Sequence, residues 1–261
     1  MTARQASIRA FFALCERDLY VTVRRDLLPF LSQSLLQPLF FLFVFGRVLP
    51  EIGAAQGAYG SQLLPGIIAM TLVLTALQNV ALPLIIEFSF TMEIEDRLLA
   101  PLPVTWVAVE KLLIATLRGI VGALLILPLG ELILPGGIDL SDASILGLIV
   151  MIIVGGVVGA CIGLLLGTAV PPNRIAVAFG LILTPLIFTG ATFYPWEALD
   201  SLRWFQIITL INPMTYVSEG MRGALTDVPH LALGWVALGV VVSLAVFGTL
   251  GVRGFRRRAV D

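Results

Sequence analysis

Charge is scarce in this sequence. Of its 261 residues only 13% are Asp, Glu, Lys or Arg, while 58% are hydrophobic, and the mean hydropathy is +1.00. A soluble domain carries about 25% charged residues. Half that number leaves too few charges to wet a globular surface, so the chain is read as an integral membrane protein. Histidine is almost missing. His230 is the single one, with no Cys or His companion at ligand spacing, so a metal site is not expected. Cys15 and Cys161 lie far apart, the second inside an apolar run, and both are read as packing residues rather than a disulfide. A net charge of −1 gives no reason to expect nucleic acid.

Chemical motifs are absent too. There is no G-x-x-x-x-G-K-[ST] run to hold ATP, no H-E-x-x-H, no G-x-S-x-G and no glycine-rich dinucleotide fingerprint. The one dense acidic group, at 93–96, has no histidine near it. An enzyme is therefore not expected, and no cofactor is assigned to this chain. If the protein moves something, the energy comes from an ion gradient or from another chain.

What is present is a series of long apolar runs. A helix needs about 20 apolar residues to cross the hydrocarbon. Six stretches qualify, at 27–46, 63–88, 105–130, 144–170, 175–194 and 231–252. The fold class is accordingly all-α, with six transmembrane helices. Arg4, Arg9, Arg17, Arg24 and Arg25 precede the first run. That charged stretch is too long for the n-region of a signal peptide, so the first span is expected to stay in the mature protein. With the N-terminus inside, Arg97, Arg174, Arg253, Arg256, Arg257 and Arg258 also fall on the cytoplasmic side, and only Arg47, Arg203 and Arg222 fall outside. The positive-inside rule thus puts both termini in the cytoplasm.

Residues 1–26 form an amphipathic segment ahead of a permease body at 27–261. Ile8, Phe11, Phe12, Cys15 and Leu19 share one face, with Arg9, Glu16, Arg17, Arg24 and Arg25 away from it. Such a helix lies in the membrane interface, either as a simple anchor or also as a contact for a cytoplasmic partner. In the fourth span Gly155, Gly159, Gly163 and Gly167 recur every four residues, which lets another backbone approach closely. In the second span Thr71, Thr75 and Gln78 share a face and Asn79 adjoins it, while Gln33 and Gln37 form a weaker pair in the first. Polar groups at this depth either bond between helices or line a substrate path, and periodicity leaves both open. No single span holds a set of acids resembling a proton or sodium relay. Glu87 is the nearest approach to one.

Two further segments stand out. "EIEDRLLAPLP", Glu93 to Pro103, is a charged turn between greasy spans. The stretch at about 194–228 holds two short helical segments split at Asn212–Pro213. One carries Leu199, Leu202 and Phe205, the other Met214, Val217 and Met221, and Glu219 and Arg222 stand three apart on one face. Each segment is too short or too polar to span, so the pair reads as a re-entrant hairpin in the outer leaflet.

Taken in order, these features resemble the type 2 ABC exporter permeases, closest to the daunorubicin-resistance and nodulation permeases. "EIEDRLLAPLPVTWVAVEKLL" is similar to that family's segment after the second span. "ATFYPWEALDSLRWFQIITLINPMTYVSEGMRGAL" is similar to its outer region, which ends in N-P-x-[TS]-[YH]-x-x-E-x-x-R, here Asn212, Pro213, Thr215, Tyr216, Glu219 and Arg222. The basic tail after the last span is the third match. The resemblance implies two permeases, identical or related, clamped by two ATP-binding subunits that carry the ATP and Mg. It implies a coupling helix at about 92–103, with Glu93, Glu95, Asp96, Arg97, Leu98 and Leu99 facing the ATPase. Family members often have a glycine shortly after the acid, where this chain has Asp96–Arg97. The implied substrate is hydrophobic or amphipathic: an antibiotic-like compound, as in multidrug efflux, a lipid or a lipid-linked glycan. It would leave along the second and fifth spans, with Thr184 and Phe188 joining Thr71, Thr75, Gln78 and Asn79. The implied location is a bacterial plasma membrane, with membrane lipids as neighbours. The alternative reading is a gradient-driven transporter or channel without an ATPase.

Overall fold

Apolar sequence in water-free surroundings must satisfy its backbone internally, and helices do so within one segment. The computed structural model describes residues 3–54, 59–134 and 143–259, and among them it is helical without strands. Helix α1 is Ala3–Arg24. Helix α2 is Leu27–Phe43, prolonged by a π turn at Val44–Val48 and a last turn at Leu49–Glu51. Then come α3 (Tyr59–Ile86, widened by a π turn at Glu87–Thr91), α4 (Glu93–Leu98), α5 (Val104–Ile133), α6 (Ile145–Ala169), α7 (Ile175–Phe188), α8 (Arg203–Thr209), α9 (Pro213–Leu225) and α10 (Leu233–Arg258). Helices α2, α3, α5, α6 and α10 are long and apolar enough to cross a membrane, and α7 is a shorter apolar helix.

Helix α3 is the hub. Of its most apolar window 78% is buried, against 22% for α2 and 28% for α10. It packs on α6 through the four expected glycines. A Cβ on Gly159 would sit 2.5 Å from the Val73 carbonyl, one on Gly163 would strike Leu77, and one on Gly167 would lie 3.1 Å from Ala81 Cα. The partners advance in step along both helices, so α3 and α6 run parallel with their backbones nearly touching. Close backbone approach of this kind is how small residues hold membrane helices together. Gly248, Gly251 and Gly254 of α10 meet Cys161, Leu164 and Thr168 of α6 in the same sense. Spans two, four and six therefore point one way. Arg258 at the end of α10 donates to Ser89 Oγ (2.8 Å) and to the Gly167 carbonyl (3.1 Å). The end of α10 thus sits at the end of the bundle that carries α4, where α1 also lies, with Arg17 3.6 Å from Glu93.

The fifth span is shorter than expected. Residues 175–194 read as one helix, but α7 stops at Phe188 and covers about 21 Å at 1.5 Å per residue. The chain then turns, with Ala191 at φ +51°, and Gly66 of α3 leaves the space into which the Thr192 carbonyl fits. Asn212 explains the stop. Its Nδ2 donates to the Leu186 carbonyl and to Thr189 Oγ1, both at 2.9 Å, while its Oδ1 accepts from the Met214 N–H at 2.9 Å. One side chain thereby closes the end of α7 and caps the start of α9, where Pro213 needs no donor.

Helix α9 is inserted into the bundle. Met214, Val217 and Met221 are fully buried in the main core with residues of α3 and α6. The other half of the hairpin departs from the expected helical face. Trp196–Leu202 is a 3₁₀ helix, Leu202 is exposed, and the buried positions are Leu199, Gln206 and Thr209. A three-residue repeat changes the register, so the Leu199–Leu202–Phe205 spacing does not form one face.

Candidate functional site

At the end of the bundle that carries α4, five charged side chains meet, four of them buried and Asp18 half-buried. Met92 leaves the end of α3 in the left-handed region (φ +55°), which turns the chain into α4. Arg97 then points inward and is 5% exposed. Its Nη2 lies 2.8 Å from Asp18 Oδ1 and 3.8 Å from Glu87 Oε1, and its Nη1 lies 3.5 Å from Glu110 Oε2. Lys111 Nζ adds contacts of 2.5 Å to Glu87 and 3.7 Å to Asp18. Three carboxylates and two cations, from α1, the end of α3, α4 and α5, form one knot. Outside the spans the protonation states are set by this pairing. Burial raises the Asp18 carboxyl, but the Arg97 hydrogen bond and the charges of Lys111 and Arg97 hold it below the usual carboxylate value. Burial lowers the Arg97 guanidinium, but Asp18, Glu87 and Glu110 carry it above its usual value. Some capacity is left over, since Glu87 Oε2, Arg97 Nε and Glu110 Oε1 are buried without a partner.

Helix α1 reaches the knot along α5. Ser7 Oγ donates to the Pro101 carbonyl at 2.5 Å, and the Phe11 ring meets Trp106 edge-on at 5.6 Å. Arg118 of α5 donates from Nε to Thr22 Oγ1 at 3.0 Å and from Nη1 to Asn79 Oδ1 at 2.8 Å. The face of α1 turned inward is therefore Phe11, Cys15, Asp18 and Thr22, at i, i+4, i+7 and i+11. Ile8, Phe12 and Leu19, expected on the same apolar face, are exposed. On the rim Arg17 lies 3.6 Å from Glu93.

The far end of the bundle holds a second buried pair. Glu219 and Arg222 are both fully buried and bonded to each other. The Glu219 carboxylate also accepts from the Trp196 N–H at 3.0 Å and the Leu231 N–H at 2.7 Å. Arg222 Nη2 donates to the Ala191 carbonyl at 3.1 Å and the Gln62 carbonyl at 3.5 Å. Tyr216 closes the hairpin by donating to the Leu210 carbonyl at 2.6 Å. The pair ties α3, the turn after α7, the 3₁₀ helix, α9 and the lead into α10 together.

The charged knot thus lies at one end of the bundle and the stitched hairpin at the other, joined by apolar spans. The family model of the ABC-2 type transporter matches residues 9–226, from within α1 to just past α9. The chain belongs to the ABC-2 type transporter family. It is also similar to the putative transport permease ycf38 of Cyanophora paradoxa, with 28% identity over 234 residues, 84% of this chain and 77% of the relative. It is thus the multi-pass membrane subunit of an ABC-2 type transporter, a permease without an ATPase domain. Members of this family generally pair with ATP-binding subunits.

The ABC-2 permease places the expected residues as follows. Glu93, Arg97 and the backbone of Glu95, Asp96 and Leu98 lie in α4, and Leu99 follows it, 84% exposed. The side chains of Glu95, Asp96 and Leu98 lie outside the described residues. Arg97 faces the bundle. Thr71 and Thr75 are buried against Gly122 of α5, and Thr71 donates to the Ile67 carbonyl one turn earlier in α3. Gln78 accepts from Gln33 Nε2 at 3.2 Å, joining α2 to α3. Gln37, Thr184 and Phe188 are exposed. Among the described residues no group of three or more His, Cys, Asp or Glu is placed to hold a metal. Sequence reasoning missed Asp18, Thr22 and Glu110. The signals were there: Asp18 and Thr22 extend the Phe11–Cys15 face, and Glu110–Lys111 is a charged pair inside an apolar run.

Proposed function

We propose that this ABC-2 permease is the membrane half of an ATP-driven exporter in a bacterial plasma membrane. It works with a second permease, identical or related, and with two ATP-binding subunits that carry ATP and Mg. The end bearing α4 and the arginines faces the cytoplasm, as do both termini. Residues 1–26 form an interfacial arm and residues 27–261 the permease body.

The observation that carries this reading is the two-sidedness of α4. Arg97 anchors it inward, while Phe90, Met92 and Leu99 are exposed around it, at 71%, 50% and 84%. On the cytoplasmic side such apolar groups face water unless a partner covers them. Covering one is worth about 1.5–3 kcal/mol. An ATPase groove fits, and Glu93 supplies charge at its edge. The hydrophobic or amphipathic character of the substrate is supported by α2 and α7, where Gln33, Gln37 and Thr184 are exposed among Leu and Phe.

The test is assembly and transport. The chain is co-expressed with an ATP-binding subunit from the same genome and purified by a tag on that subunit. Wild type is expected to co-purify and to export an amphipathic dye from inverted vesicles on addition of ATP. Leu99→Glu together with Phe90→Glu is expected to abolish co-purification while leaving membrane insertion intact. A double variant that assembles as well as wild type removes the reading.

A further inference from the structure

Beside the charged knot lies a cavity of about 300 Å³ bounded by α1, α3, α4 and α5. That is the small end of the range that ligands fill, room for a headgroup rather than a whole lipid. Its acids are mostly spoken for. Asp18 is held by Arg97, Glu87 by Lys111 and Glu93 by Arg17. Arg25, Arg118 and Asp26 also line it, and none of the three has an ion-pair partner within 4 Å among the described residues. Arg118 is the unusual group. It sits halfway along a membrane-length helix, where an arginine is costly and marks function, yet its hydrogen bonds go only to neutral oxygens, with Asp18, Asp26 and Glu110 acting on it through space. The single hydroxyl of Thr22 accepts from both its Nε and its Nη2. Arg97, which also lines the cavity, keeps its buried Nε without a partner. Val21, Pro83 and Ile114 supply an apolar wall.

We propose that this cavity binds the phosphate group of an anionic ligand, with Arg118 at its floor and Arg25 at its rim. A planar guanidinium matches two phosphate oxygens at once, which a shared threonine hydroxyl does not. The apolar wall favours a phosphate on a membrane amphiphile over the free ion. On the export reading, on which only this placement rests, the site receives the headgroup of the transported molecule or of a regulating lipid.

Binding is measured by calorimetry on the full chain in neutral detergent, without an ATP-binding subunit. The probes are dihexanoyl phosphatidate, inorganic phosphate and the cationic amphiphile dodecyltrimethylammonium. Phosphatidate is expected to saturate one site per chain and to weaken as salt rises. Losing a charge-assisted hydrogen-bonded pair lowers affinity by about tenfold or more. Arg118→Gln is expected to show that loss and Arg25→Gln a smaller one. Arg47→Gln, at the other end of the bundle, is expected to bind as wild type does. Inorganic phosphate that binds as tightly as phosphatidate, with the same loss in Arg118→Gln, upholds the phosphate site and assigns it to the free ion. Arg25→Gln keeps the test open if Arg118→Gln does not fold. No saturable binding, binding indifferent to both arginines, or preference for the cation overturns the proposal. Because no ATPase is present, a negative result leaves the export reading standing, and failed export leaves the binding result standing.

Discussion

Replacing Arg97 with alanine tests the charged knot most directly. The wild-type cluster sets Asp18, Glu87 and Glu110 against Arg97 and Lys111. Arg97 reaches all three acids, at 2.8, 3.8 and 3.5 Å, whereas Lys111 reaches only Glu87 and Asp18. Arg97→Ala leaves three carboxylates, those of Glu87 and Glu110 buried and that of Asp18 half-buried, sharing one ammonium, and Glu110 loses its cation altogether. Removing one member of a buried pair costs about 3–5 kcal/mol, mostly from the charge left uncompensated. The adjoining cavity admits water and softens this, so the lower end, about 3 kcal/mol, is expected. Arg97→Lys restores charge but reaches fewer acids, and recovers about half.

The assay is unfolding by dodecyl sulfate titration in mixed micelles, run as a double-mutant cycle of Arg97→Gln against Asp18→Asn. A coupling of about 1.5–3 kcal/mol is expected for a buried charge-assisted bond. The sign with pH follows from Asp18. Its folded value is depressed, so its stabilisation is complete above the unfolded value, about 3.9. It is lost only as pH falls through the folded value. The Asp18 contribution therefore holds throughout the neutral range, and Asp18→Asn is expected to flatten the acid limb of the stability profile. Zero coupling, or Arg97→Ala as stable as wild type, would refute the argument that Arg97 anchors α4.

Two other expectations follow from packing at the middle and far end of the bundle. Gly159→Ala places a methyl 2.5 Å from the Val73 carbonyl and forces α3 and α6 apart, at about 1–3 kcal/mol. Gly180→Ala, with nothing within 4 Å, is expected to be neutral or stabilising by up to about 1 kcal/mol; the same titration on both variants separates crowding from helix propensity. Glu219→Gln strands the buried Arg222 and is expected to cost about 3–5 kcal/mol, read as lost expression and unfolding at lower detergent. The double change Glu219→Gln with Arg222→Met is expected to recover part of that.

Local signals were legible in the sequence, and long-range ones were not. Length and apolarity mark the spans, because hydrocarbon tolerates nothing else. The Gly155 to Gly167 repeat marks a contact face, because only glycine permits that approach. Met214, Val217 and Met221 mark the buried side of α9. The early stop of α7 was hidden because it depends on Asn212, more than twenty residues later in the chain. The knot was hidden for the same reason. Asp18 and Arg97 are 79 residues apart, and no periodicity joins them. A basic residue in a charged turn reads as solvated until its partners are found, so Arg97 was expected to face an ATPase when it faces the bundle.

That inward turn changes what α4 can transmit on the proposed reading. An isolated helix of six residues is not stable in water, so its position is set by what it is tied to. Arg97 ties it to α1 through Asp18, to α3 through Glu87 and to α5 through Glu110. A push on the exposed Leu99 side has no independent path: it moves all four elements or breaks the knot. Coupling needs an element that both partners bias. Here that element is the knot together with α4, so disrupting Asp18 is expected to uncouple ATP hydrolysis from transport as severely as changing α4 itself. Unimpaired dye export in Asp18→Asn, with assembly intact, would place the path elsewhere.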